Sequence, residues 1–67
     1  MKQLGEAIKA RRIEQGITQE KLGLMIGLGN SQAYVHRIES GSIPIGFDNL
    51  LKLADALDIQ VRDLISF

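Results

Sequence analysis

The chain has 67 residues, eight Lys/Arg against eight Asp/Glu, and a formal net charge of zero. It has no cysteine and a single histidine, which excludes a disulfide, a cysteine metal staple and a structural zinc site. No run approaches the roughly 18 apolar residues of a membrane span, and Met1-Lys2-Gln3 has no apolar signal region behind it. The expectation is a soluble, cytoplasmic protein. A chain this short is marginal for a single core, so packed Leu, Ile, Val and Ala must supply the stability.

Five helices are expected, giving an all-α class with residues 1–67 as one domain. The first runs from about Lys2 to Gln15, with Leu4, Ala7 and Ile8 on one face, and Gly16 supplies a left-handed stop. Thr18 caps a second helix that reaches about Ile26 and ends at Gly27. A third begins near Ser31, with Asn30 or Ser31 as cap, and ends near Glu39 or Ser40 ahead of Gly41. A loop with Pro44 and Gly46 leads to a fourth helix over about Phe47–Leu57, where Leu50, Leu53, Ala54 and Leu57 have the spacing of a buried stripe. A short fifth helix covers about Val61–Ser66. There is no strand signal, repeat or low-complexity linker.

The second and third helices, joined by a glycine turn, form a helix-turn-helix pattern, in which the second of the pair lies in the major groove of DNA. The charge is unevenly placed. Residues 1–37 carry Lys2, Lys9, Arg11, Arg12, Lys21 and Arg37 against three glutamates, a net +3, and residues 38–67 carry the compensating −3. That polarity turns the helix-turn-helix half towards phosphate without making the protein strongly basic.

Four segments extend the pattern: Lys9-Ala10-Arg11-Arg12, Ile17-Thr18-Gln19-Glu20-Lys21-Leu22, Tyr34-Val35-His36-Arg37-Ile38-Glu39-Ser40-Gly41 and Leu50-Leu51-Lys52-Leu53-Ala54-Asp55-Ala56-Leu57. In this order they resemble the phage-repressor type of helix-turn-helix domain, the Cro-like or xenobiotic-response-element family, from about Leu4 to Leu64. The resemblance implies a compact five-helix repressor-type domain, a DNA-binding transcriptional regulator, and a dimer. It implies double-stranded DNA as partner and no cofactor. By position, Gln19 matches a glutamine that touches a DNA phosphate at the start of helix two. Gln32, Ala33, His36 and Arg37 match the base-reading positions of the recognition helix. Gln can pair with adenine and Arg with guanine through two hydrogen bonds each. Ser31 is read as a cap and a phosphate donor. Lys9, Arg11, Lys21, Asn30 and Ser42 are weaker candidates for the DNA backbone. Tyr34 is read either as reaching that backbone or as covering the core edge. Arg12 and Glu39 match a structural pair tying helix one to the end of helix three.

The chain departs from the family pattern in three places. The turn Gly27-Leu28-Gly29-Asn30 before Ser31 is longer than usual, which leaves the docking angle of the recognition helix open; the register from Gly29 onward also fits the family, with helix two extended instead. The loop Ser42-Ile43-Pro44-Ile45 lacks the basic residues common in relatives. Leu24 and Met25 stand at positions that are usually polar, inside a mostly apolar run from Leu22 to Leu28. Two readings stay open for them: burial under the longer turn, or a patch for a protein partner. Gly23 replaces the usual alanine, a sign of close helix packing. At the C-terminal end, Ile59, Val61, Leu64, Ile65 and Phe67 form either a dimer surface or part of the protomer's own core.

Two functions therefore compete. The first is a homodimeric regulator on a palindromic operator, with recognition helices about 34 Å apart. The second is a protein-binding module, such as an antitoxin, anti-repressor or adaptor, favoured by the zero net charge and the apolar run. An enzyme is not expected, because no metal-ligand cluster, phosphate loop or histidine–nucleophile constellation is present in the sequence.

Overall fold

A computed structural model of the chain describes residues 2–27 and 32–66. The described residues form five α-helices and no strand: α1 (Lys2–Glu14), α2 (Gln19–Met25), α3 (Gln32–Ser40), α4 (Phe47–Ala56) and α5 (Val61–Leu64). Order and number agree with the sequence reading, and the ends are shorter by one or two residues. Asn30, Ser31 and the turn preceding them lie outside the described residues, as does Phe67.

Each helix stops for a local reason. Gly16, Gly27 and Gly41 adopt positive φ (69°, 81° and 74°) just past α1, α2 and α3, a conformation that a side chain disfavours. Thr18 caps α2 in extended geometry, its Oγ1 accepting from the Lys21 N–H at 3.0 Å. The α4 terminus is handled differently. Asp58 takes the left-handed position there, with φ 54°. Arg11 then reaches across from α1, its Nε donating to the Leu57 carbonyl and its Nη2 to the Asp58 carbonyl, both at 2.9 Å. A guanidinium on carbonyls left open at a helix end answers both their unmet hydrogen bonds and the helix dipole.

The core takes one face from every helix: Leu4 and Ile8, Leu22 and Ile26, Val35 and Ile38, Leu50, Leu53, Ala54 and Leu57, and Leu64, with Ile45 from the loop. Helix α3 is the central element, packed against both α1 and α2, while α5 bridges α4 and α1. The approach of α1 to α3 is close enough to require a glycine. A Cβ on Gly5 would lie 2.4 Å from the Ile38 carbonyl oxygen and 2.6 Å from that of Glu39. Both are backbone atoms, so neither can swing aside.

The sign of the Gly5→Ala effect is therefore diagnostic. In an open helix the change would stabilise by roughly 0.5–1 kcal/mol. Here overpacking should destabilise by about 3 kcal/mol. Gly46, the N-cap of α4, has extended backbone and open space around its Cβ position, so Gly46→Ser should raise stability by a few tenths of a kcal/mol through a capping hydroxyl. Urea melts of both variants check the pair of opposite signs.

Candidate nucleic-acid interface

The two faces of α3 have different tasks. Val35, Ile38 and Glu39 point inward and are buried. Gln32, Ala33, His36, Arg37 and Ser40 are exposed, and the 3.6-residue period places them on one outward strip. The side chains of Gln32, His36 and Arg37 have no hydrogen-bond or ion-pair partner among the described residues, so their polar groups face solvent. Lys9 and Lys21 are exposed as well. Lys9 shares a small cleft of about 80 Å³ with Gln19, His36, Glu39 and Ser40, where α1, α2 and α3 converge.

Beneath this strip lies a polar network. Arg12 Nε donates to Glu39 Oε2 at 2.6 Å and Nη2 to Oε1 at 3.1 Å. The third arm, Nη1, donates to the Ile17 carbonyl at 2.8 Å. The side chains of Arg12 and Glu39 are only 11% and 3% exposed. One guanidinium thus ties α1 to the end of α3 and to the residue ahead of the α2 cap. Gln19 joins in: its Nε2 donates to Glu39 Oε1 at 3.0 Å.

Several expected contacts are placed otherwise. Arg11 is held by the α4 terminus and by Glu14, so its expected role on the DNA backbone does not fit. Tyr34 is half-buried against the core, and its hydroxyl accepts from Asn49 Nδ2 at 2.7 Å, which selects the core-edge alternative. Ser42 shares a 2.7 Å hydroxyl contact with Ser40, whose Oγ also lies 3.0 Å from the Arg37 carbonyl. Leu24 and Met25 are exposed, and the turn expected to cover them lies outside the described residues. The C-terminal apolar set divides. Leu64 is 1% exposed, and Ile59 and Val61 pack against the core, so these three complete the protomer's own interior. Ile65 stays exposed, together with Phe47 and Leu51, which share one face of α4 at i, i+4 spacing.

Sequence reasoning missed three features. The division of labour between Arg11 and Arg12 has a signal in helical geometry, since neighbouring positions point about 100° apart. The Gly5 contact also had one, a glycine inside a helix where no turn is needed. The Gln19–Glu39 bond had none, because it joins separate elements through side-chain rotamers.

The family model described as helix-turn-helix matches residues 8–64, a span running from mid-α1 through α5. The chain belongs to the helix-turn-helix family, of the phage-repressor type. It is 31% identical over 64 residues to the control protein C.BamHI of Bacillus amyloliquefaciens, covering 94% of this chain and 76% of that protein. Among solved structures it resembles the restriction-modification controller protein C.AhdI from Aeromonas hydrophila, with 36% identity and a TM-score of 0.88 over 96% of this chain and 94% of that one. It also resembles the P22 c2 repressor protein solved in complex with a synthetic operator, with 32% identity and a TM-score of 0.83 over 94% and 92% of the two chains. This helix-turn-helix protein therefore carries its outward α3 strip on a scaffold that a repressor presents to an operator.

The buried pair makes a direct prediction. Glu39→Ala would leave the Arg12 charge enclosed without its partner, at a cost of roughly 3–5 kcal/mol. Glu14→Ala removes only the solvent-facing contact with Arg11 and should cost about 0–0.5 kcal/mol. Equal melting temperatures for the two variants would remove the Arg12–Glu39 pair from any special role.

Proposed function

We propose that residues 1–67 act as a single DNA-binding domain, a small transcriptional regulator that recognises duplex DNA by sequence with α3 in the major groove. The observation that carries this reading is the outward strip of Gln32, Ala33, His36 and Arg37, whose polar members are unpartnered among the described residues while the opposite face of the same helix is locked into the core. A rigidly mounted helix with open donors and acceptors suits base-edge recognition. Gln32 suits adenine and Arg37 guanine. Gln19, Lys9 and Lys21 lie on the elements beside α3 and would hold the phosphates, with Ser31 and Asn30 as candidates in the preceding turn and Ser42 in the following loop. The likeness to a repressor solved with its operator supports the same use of the fold.

The regulator works as a homodimer on a palindromic operator. Its protomers meet through the exposed apolar residues on the α4–α5 side, Phe47, Leu51 and Ile65, with Phe67 as a further candidate. It is a binding protein in the cytoplasm, not an enzyme, and needs no cofactor. No helix among the described residues is long and apolar enough to cross a membrane.

A second reading has one observation in its favour. Leu24 and Met25 are exposed side by side at the end of α2, and adjacent exposed apolar side chains suit a protein partner. Salt separates the two. If Lys9 and Lys21 each neutralise one phosphate, log affinity should fall with log salt at a slope of about −1.8 per protomer, or about 12-fold over a fourfold rise in salt. An apolar protein interface should change little.

Selection from a random duplex pool, with sequencing of the bound fraction, tests the function itself. The wild type should enrich a palindrome, and the Gln32→Ala/Arg37→Ala double variant should fail to recover it. A folded wild type that enriches nothing at low salt would transfer the case to the protein-partner reading, with Leu24 and Met25 as the residues to mutate.

A further inference from the structure

Gln19 and Glu39 belong to different helices and to what the sequence treats as different tasks, one for phosphate and one for stability. The structure joins them. A glutamine side chain is ambivalent beside an anion: its amide nitrogen attracts a phosphate oxygen and its carbonyl oxygen repels it. A solvated glutamine samples both orientations. Here Nε2 of Gln19 donates to Glu39 Oε1 at 3.0 Å. An ionised carboxylate only accepts, so it admits the nitrogen end of the amide and excludes the oxygen end. Nε2 carries a second N–H that this bond does not use.

A carboxylate near a phosphate would ordinarily repel it. Glu39 is buried, however, and both its oxygens receive bonds from the Arg12 guanidinium. Its charge is therefore balanced at contact distance. The small cleft over the network is lined by Lys9 and His36 together with Gln19, Glu39 and Ser40, so a lysine ammonium is among its lining groups. Gln19 itself is half-buried, with one side on the network and the other towards solvent.

We infer that Glu39 is a positioning residue for DNA binding: it fixes the Gln19 carboxamide so that its free N–H meets one backbone phosphate, seated at the cleft between Lys9 and His36. Arg12 makes this arrangement tolerable by neutralising Glu39. The inference rests on the DNA-binding reading above and deepens it. It predicts that the network under the recognition helix is read out in affinity as well as in stability.

The test uses the duplex recovered by the wild-type protein, prepared with single methylphosphonate substitutions that neutralise one backbone phosphate at a time. Binding is measured at a temperature where circular dichroism shows every variant folded. For the wild type, one phosphate should cost about 10-fold when neutralised, the size of a charge-assisted hydrogen bond. Gln19→Ala should bind the native duplex about 10-fold more weakly and should keep at that same phosphate only the smaller sensitivity that Lys9 supplies. Glu39→Gln cannot accept all three of the carboxylate's bonds with a single oxygen. It should share that reduced sensitivity at that position while keeping normal sensitivity at the others. A merely structural role would weaken all positions equally. Gln19→Asn, which leaves the Arg12–Glu39 pair intact, gives a second measure: one methylene shorter, it should fail to meet Glu39 and the phosphate together and should lose as much as Gln19→Ala. Wild-type sensitivity of Glu39→Gln at that phosphate, or full affinity of Gln19→Asn, overturns the inference while leaving DNA binding intact. A wild type that recovers no duplex overturns both.

Discussion

The bidentate contact between Arg12 and Glu39 is the constraint on which the arrangement of this protein depends. Its value is not mainly energetic. Removing two charges from water costs several kcal/mol per ion, and a well-packed apolar pair of the same volume would often be as stable. What the ion pair adds is direction. A leucine in place of Arg12 could slide along its neighbours, whereas a planar guanidinium with acceptors on three arms has one position. Those arms reach α3 through Glu39 and the entry to α2 through Ile17. The two helices of the helix-turn-helix are therefore set relative to each other from α1, outside the turn that joins them.

The same accounting explains how a protein with no net charge can address DNA. Two of the cations in its basic half are structural: Arg11 closes the end of α4 and Arg12 holds Glu39. Lys9, Lys21 and Arg37 remain exposed around the recognition helix. On the proposed reading, so small a set would neutralise few phosphates, and the sequence-independent part of the affinity would be weak. Discrimination between sites would benefit, since less of the binding would be shared by every duplex. The negative charge, carried by Asp48, Asp55, Asp58 and Asp63, sits on α4, α5 and their connection, which disfavours docking on DNA with that side.

Most of the architecture was legible in the chain because it rests on local rules. Apolar spacing marked α4 through Leu50, Leu53, Ala54 and Leu57, the glycines at 16, 27 and 41 marked where helices end, and Thr18 marked where α2 begins. The outward strip of α3 followed from the same periodicity. The rest depends on which distant groups meet. Whether Leu64 completes the core or faces a partner is decided by how α5 lies on α4, and it lies so that Leu64 is enclosed and Ile65 is not. The destination of Arg11 depends on Asp58, 47 residues away, and on a backbone carbonyl that no side-chain pattern announces. Tyr34 was ambiguous for a like reason: its hydroxyl finds Asn49 only after α4 has docked.

A weak single interface and an exposed apolar set on another side of the molecule have a common consequence. On the proposed reading one protomer offers one α3 strip and few cations, so its interface with DNA would be small. Joining two such protomers makes the second contact intramolecular, so affinity multiplies without any new residue touching DNA. Phe47 and Leu51, exposed on one face of α4, are the residues through which that joining would occur. The joined pair would also double the number of phosphates neutralised, steepening the dependence on salt. Occupancy of a palindrome would then rise with the square of protomer concentration wherever dimers are scarce. A chain with so few means of holding DNA alone would thereby become sensitive to its own abundance, because the strength withheld from each protomer would be recovered only when two are present.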